Sequence, residues 1–134
     1  MSASKLSISS EEGQFSALIS RPKDPGLYPV IIVIQDVFGL SHPLKLVCDH
    51  FAQQGYIAIA PDLYWRLEPD LELVSSFKPD LDKAMSLYKQ LDQNLAIKDL
   101  KTTINFVRQL DGSNKKVGLS GYCLGGRLAF MASY

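Results

Sequence analysis

Neither sign of charge predominates in this chain: fourteen Lys and Arg stand against fourteen Asp and Glu. A balanced charge removes the long-range attraction behind binding to nucleic acids or to anionic membranes, so neither is an expected partner. Long apolar runs are missing too. None approaches the roughly 20 residues of a membrane span, and the segment from Met1 to Phe15 lacks the apolar core of a secretory signal. A cytoplasmic location is the expectation. Cysteine is scarce, and the spacing of Cys48 and Cys123 suggests neither a disulfide framework nor a zinc site. Histidine is equally scarce. His42 and His50 form no H-E-x-x-H pattern, so no metal site is expected.

What is present is the composition of one globular domain. Its 134 residues are 46% hydrophobic, enough for a real core, and no repeat, low-complexity tract or interdomain linker interrupts them. Leu6 to Ser9 and Phe15 to Ser20 alternate apolar and polar residues around Glu11-Glu12-Gly13, which predicts a β-hairpin at a sheet edge. Pro22, Pro25 and Gly26 mark the following loop. Val30 to Ile34 is an unbroken β-branched run, too short for a typical helix and suited to a strand buried on both faces of a parallel sheet.

After Gly39, Ser41 is expected to N-cap a helix with Pro43 in its first turn. Leu44, Val47, Cys48, Phe51 and Ala52 recur at helical spacing, and Gly55 closes the helix. Tyr56 to Ala60 reads as another buried strand, making a right-handed βαβ unit with the first. Trp65 to Pro79 has no clear period and is expected as a loop over the sheet edge that shapes a substrate mouth. Asp80 is expected to cap a helix to about Leu91, and a second helix runs from about Asn94 to Leu110. Asp111 to Asn114 is a turn, and Val117 to Leu119 is a short strand. The order predicts an α/β fold with a mainly parallel sheet.

The stretch from Lys116 to Tyr134 carries the chemistry. Gly121-Tyr122-Cys123-Leu124-Gly125 fits the G-x-S-x-G nucleophile elbow with cysteine in the serine position. The nucleophile of such an elbow sits on a tight strand-to-helix turn, so Gly121 and Gly125 supply room that side chains would fill. The free N–H groups at the start of the following helix, Leu124 to Ser133, favour a thiolate at Cys123 and a negative oxygen on a substrate. Asp36 lies at the carboxyl end of a predicted parallel strand, where α/β sheets place ligands. By contrast Cys48 shares an apolar stripe and reads as core, while Asp62 reads as a turn former. His50 and Arg127 read as solvated helix residues, and His42 as a turn residue. A nucleotide-binding sheet is disfavoured, because no G-x-G-x-x-G follows the first buried strand.

Three stretches, Val33 to Leu40, Gly55 to Tyr64 and Lys116 to Gly126, together resemble the dienelactone hydrolase (carboxymethylenebutenolidase) family of α/β-hydrolases. The resemblance implies an α/β-hydrolase-like fold, a Cys-His-Asp triad and hydrolysis of a small-molecule lactone or ester without metal or cofactor. Carried onto this chain, it makes Cys123 the nucleophile, the backbone N–H groups of Leu124 and Val37 the oxyanion-hole donors, and Asp36 an accessory carboxylate where the family usually has glutamate. The family arginine that holds a substrate carboxylate has no clear match, and Lys83 is not assigned that role. The triad acid and histidine follow the nucleophile in such enzymes, yet none of the eleven residues after Cys123 is Asp or His. Residues 1–134 are therefore expected to be the N-terminal part of one such domain, truncated after the elbow helix. Two readings follow: a hydrolase represented by that portion, or an inactive remnant or half-domain that pairs with another chain. Self-association through an exposed sheet edge is the corresponding expectation.

Overall fold

The computed structural model describes residues 2–121. Its strands are β1 (Ser4–Ser10), β2 (Gly13–Ser20), β3 (Tyr28–Ile34), β4 (Ile57–Pro61) and β5 (Ser113–Gly121). Its helices are α1 (His42–Gln53), α2 (Lys78–Gln90) and α3 (Gln93–Arg108). The strands form one sheet in the order β1-β2-β4-β3-β5. β3 pairs in parallel with β4 and with β5, whereas the β1–β2 hairpin adds antiparallel to β4. The sheet is thus mixed, parallel in the half formed by β4, β3 and β5.

The side-chain period of two divides the strands between two layers of core. Ile32 and Ile34 of β3, with Ile57 and Ile59 of β4, pack on the side of Ala96, Leu100 and Val107 from α3. The intervening Val33, Ala58 and Ala60 pack on the other side against Leu44 and Cys48 of α1. Helices therefore cover both faces, and this explains why β3 and β4 read as unbroken apolar runs. The covering is unequal in bulk. β4 offers isoleucine to α3 and alanine to α1. A third cluster joins Ala84 and Leu87 of α2 to Tyr64 and Leu73 beyond the end of β4.

Helix α1 starts where its residues require. Ser41 is extended, with φ −71° and ψ 165°, its hydroxyl accepts from the Leu44 N–H, and a proline stands in the first turn. Gly55 follows the helix at φ +93°, the left-handed conformation that closes helices. Two expectations need correction. Asp80 is not the cap of α2; Phe77 holds that position without a side-chain bond, and the Asp80 carboxylate accepts from the Val74 N–H at 2.8 Å. Prolines at the helix start tolerate a weak cap because their missing N–H needs no acceptor. Strand β5 also begins at Ser113 rather than Val117, because Tyr28 pairs with Ser113 across an irregular register and the Tyr28 N–H reaches the Gly112 carbonyl at 2.8 Å. No helix among the described residues is long and apolar enough to cross a membrane.

Candidate active site

The carboxyl ends of β3, β4 and β5 converge on one region. The register pairs Ile32 with Leu119, Val33 with Ser120 and Ile34 with Gly121, so Gly121 lies beside the last residue of β3. Cys123, Leu124 and Gly125 lie outside the described residues. A small cavity of about 90 Å³ opens at this junction, walled by Val33, Ile34, Leu44 and Val47, with Asp36 and Gly121 at its lining. The structure therefore brings Asp36 and Gly121 to one place.

The chain leaving β3 makes a short turn. The exposed Asp36 accepts the Phe38 N–H at 2.9 Å through Oδ1, a side-chain closure typical of Asp in turns. Gly39 follows at φ +76°. A Cβ there would lie 2.6 Å from the Leu71 carbonyl oxygen, so only glycine fits. This close approach lets the stretch after β4 pair with the turn: Leu40 N–H donates to Leu71 O at 2.8 Å and Leu73 N–H to Phe38 O at 3.0 Å. The stretch expected as a loop from Trp65 to Pro79 is thus tied to the turn after β3 through Leu71 and Leu73, and its last two residues, Lys78 and Pro79, open α2.

Two buried side chains hold this turn, and a third holds the chain after β4. Gln35 is fully buried. Its Oε1 accepts the Leu63 N–H at 2.8 Å and its Nε2 donates to the Asp36 carbonyl at 3.0 Å. The Tyr64 hydroxyl donates to the Val37 carbonyl at 2.9 Å. Burial, with the neighbouring Asp36 and Tyr88, raises the phenol further above its ordinary value, so it remains a donor at every working pH. Asp62, 1% exposed, accepts from Tyr64 N–H at 3.1 Å and Asp70 N–H at 2.7 Å. Burial pushes its carboxyl up to about 6, against the stabilising effect of those two N–H bonds. Asp62 is a turn former, as its sequence context predicts.

Farther along, the same loop is anchored by charge. Asp99 of α3, also 1% exposed, accepts Trp65 Nε1 at 2.9 Å and the Arg66 guanidinium at 2.6 and 3.0 Å. Arg66 also reaches Glu12 in the hairpin turn and lies 4.6 Å over the Trp65 ring, which in turn stacks on Phe15. Sequence reasoning missed Gln35, Tyr64 and this cluster as organising residues. One signal was available: Asp99 falls on the stripe Ala96, Leu100, Thr103 and Val107, where a carboxylate must find partners.

The remaining candidates separate from the site. Cys48 is fully buried, and burial with help from Asp49 pushes its thiol up to about 12, so it is inert at neutral pH. His42 and His50 are both exposed, at the start and in the last turn of α1. Lys83 is paired with Glu68 at 2.5 Å. Among the described residues no three His, Cys, Asp or Glu side chains are grouped to hold a metal ion.

The profile of the dienelactone hydrolase family matches residues 15–134. A carboxymethylenebutenolidase from Pseudomonas putida is 38% identical over 130 residues, which cover 96% of this chain and 54% of that protein. Carboxymethylenebutenolidase 1 from Cupriavidus pinatubonensis is 32% identical over 118 residues, 88% of this chain and 50% of the relative. A solved structure from Klebsiella pneumoniae, described as a dienelactone hydrolase, superposes with a TM-score of 0.79 at 28% identity, over 97% of this chain and 53% of that one. The chain spans about half the length of the curated relatives it matches.

Proposed function

Because the chain belongs to the dienelactone hydrolase family, we propose that it carries the nucleophile portion of a hydrolase acting on a lactone or small carboxylic ester. The observation that supports this most is the β3–β5 register, which sets Gly121 beside Ile34, next to the Gln35 to Leu40 turn. In the proposed reaction the Cys123 thiolate attacks the carbonyl carbon. The carbonyl oxygen takes the charge and accepts hydrogen bonds from the N–H groups of Leu124 and Val37. The Val37 N–H has no acceptor among the described residues, as a waiting donor requires. Collapse expels the alkoxide and leaves a thioester, which water then cleaves. Asp36 stands at the lining of the same small cavity as Gly121 and serves as the accessory carboxylate.

The triad acid and base are not among Leu124 to Tyr134. Residues 1–134 then supply the nucleophile and oxyanion donors, and turnover needs an Asp and a His from another stretch of polypeptide. Loss of triad members leaves only a residue of activity from the oxyanion hole and binding. The test is to treat the chain with p-nitrophenyl acetate and follow nitrophenolate release. The expected result is a burst of one equivalent per chain, an acetyl group on the peptide containing Cys123, and slow release thereafter. Acetylation confined to lysines, or a burst that persists in Cys123→Ala, would sink the proposal.

A second reading has its own observation. Among the described residues β5 pairs only with β3, so it is the outer strand on that side of the sheet. A half-domain that completes its sheet with another chain would use this edge. A monomer in size-exclusion chromatography, with one cooperative unfolding transition, would count against it.

A further inference from the structure

We infer that Gln35 is a positioning residue that aims the Val37 N–H into the oxyanion site; this rests on the reading of Cys123 and Val37 proposed above. The inference starts from the peptide between Asp36 and Val37. In a trans peptide the carbonyl and the N–H point in opposite directions. Whatever holds the Asp36 carbonyl therefore also sets the direction of the Val37 N–H. That holder is Gln35 Nε2, at 3.0 Å. The amide cannot swing, because its Oε1 accepts the Leu63 N–H at 2.8 Å and the side chain is fully buried.

The direction follows from the sheet order. Leu63 continues from β4, on one flank of β3, and β5 with Gly121 lies on the other. A carbonyl drawn toward the Gln35 amide, which also binds Leu63, turns the Val37 N–H away from that amide. The next peptide is held separately, by the Tyr64 hydroxyl on the Val37 carbonyl at 2.9 Å. Two successive peptides are thus fixed by two buried side chains. An isolated turn would instead let the Asp36–Val37 peptide flip, at the expense of one hydrogen bond. A buried glutamine at a strand end, where β-branched residues precede it, is otherwise unfavourable, since an apolar side chain would fill the space without needing two partners.

Two reactions of the same thiolate separate aim from everything else. Acyl transfer from p-nitrophenyl acetate forms the S–C bond while the carbonyl π pair moves to oxygen, and collapse expels p-nitrophenolate. Alkylation by iodoacetamide forms an S–C bond and expels iodide, with no oxyanion. Both consume thiolate, so the ratio of their rate constants at Cys123, located by peptide mass, cancels its ionisation. The folded chain should show a higher ratio than the urea-unfolded chain. In Gln35→Met, which keeps the length but has neither partner group, the ratio should fall about tenfold, a partial version of losing an oxyanion donor. In Gln35→Glu the ratio should be low at pH 8 and recover toward pH 5. There the buried acid takes up a proton and donates to the Asp36 carbonyl again.

If the folded chain shows no excess over the unfolded one, the oxyanion reading fails and this inference falls with it. If the excess is present but both variants keep it, the site stands and Gln35 does not aim it. Loss of the far-UV circular dichroism of the fold in both variants would make Gln35 a stability residue and overturn the assignment. A ratio in Gln35→Glu that stays low and flat with pH would also count against it.

Discussion

Replacing Asp99 by alanine tests how the loop after β4 is held over the core. The carboxylate accepts the Trp65 indole N–H and two guanidinium nitrogens of Arg66, all from a position 1% exposed. Truncation deletes those three bonds at once, leaving the indole N–H and the inner side of the guanidinium without their acceptor. Removing one member of a buried pair costs about 3–5 kcal/mol. The lower end applies, because the Arg66 side chain is 21% exposed and retains Glu12 at 3.1 Å. The expected loss is about 3 kcal/mol, which at a urea slope of roughly 1.5 kcal/mol/M lowers the midpoint by about 2 M. Trp65 is the chain's single tryptophan, so its fluorescence reports this contact while far-UV circular dichroism reports the whole fold. Asp99→Asn keeps an acceptor but loses the charge, and should lose about half as much. A loss below about 1 kcal/mol in Asp99→Ala would refute the reasoning, since it would equate the pair with exposed surface pairs.

Other perturbations have equally definite outcomes. Gly39→Ala puts a side chain at φ +76° and 2.6 Å from the Leu71 carbonyl oxygen; denaturation should show a loss of about 2 kcal/mol or more, and a loss under about 0.5 would contradict the contact. Asp62 holds its proton more tightly folded than unfolded, so its contribution is present at low pH and is lost as pH rises through about 6. The stability of the native chain relative to Asp62→Asn should therefore drop by up to about 3 kcal/mol between roughly pH 4 and 7, and a difference independent of pH would rule this out. Cys48 should react with a disulfide reagent only as fast as the chain opens; fast reaction in the folded state would contradict its burial.

The strands and helices were legible because burial on two faces demands recognisable residues. Val30 to Ile34 has little freedom to be anything but an interior strand, and Ser41 with Pro43 marks the start of α1 from local chemistry alone. The candidate region was legible from the ends of two strands, since Asp36 follows the buried β3 and Gly121 is the last residue of β5. Asp80 misled because an acidic residue near a proline fits either a cap or the first turn, and the choice depends on Val74, six residues back. The stretch from Trp65 to Pro79 was opaque because its order comes from partners remote in sequence.

The amino-acid sequence by itself determined the class of fold and the family, both of which depend on residues near one another in the chain. Tertiary structure alone decided that Gln35 would meet Leu63, that Tyr64 would hold Val37 and that Asp99 would bind Trp65 and Arg66. Such bonds follow from the order β2-β4-β3-β5 and from the side of the sheet that each helix covers. A periodicity of apolar residues says which face is buried. It does not say which distant polar group will be waiting there.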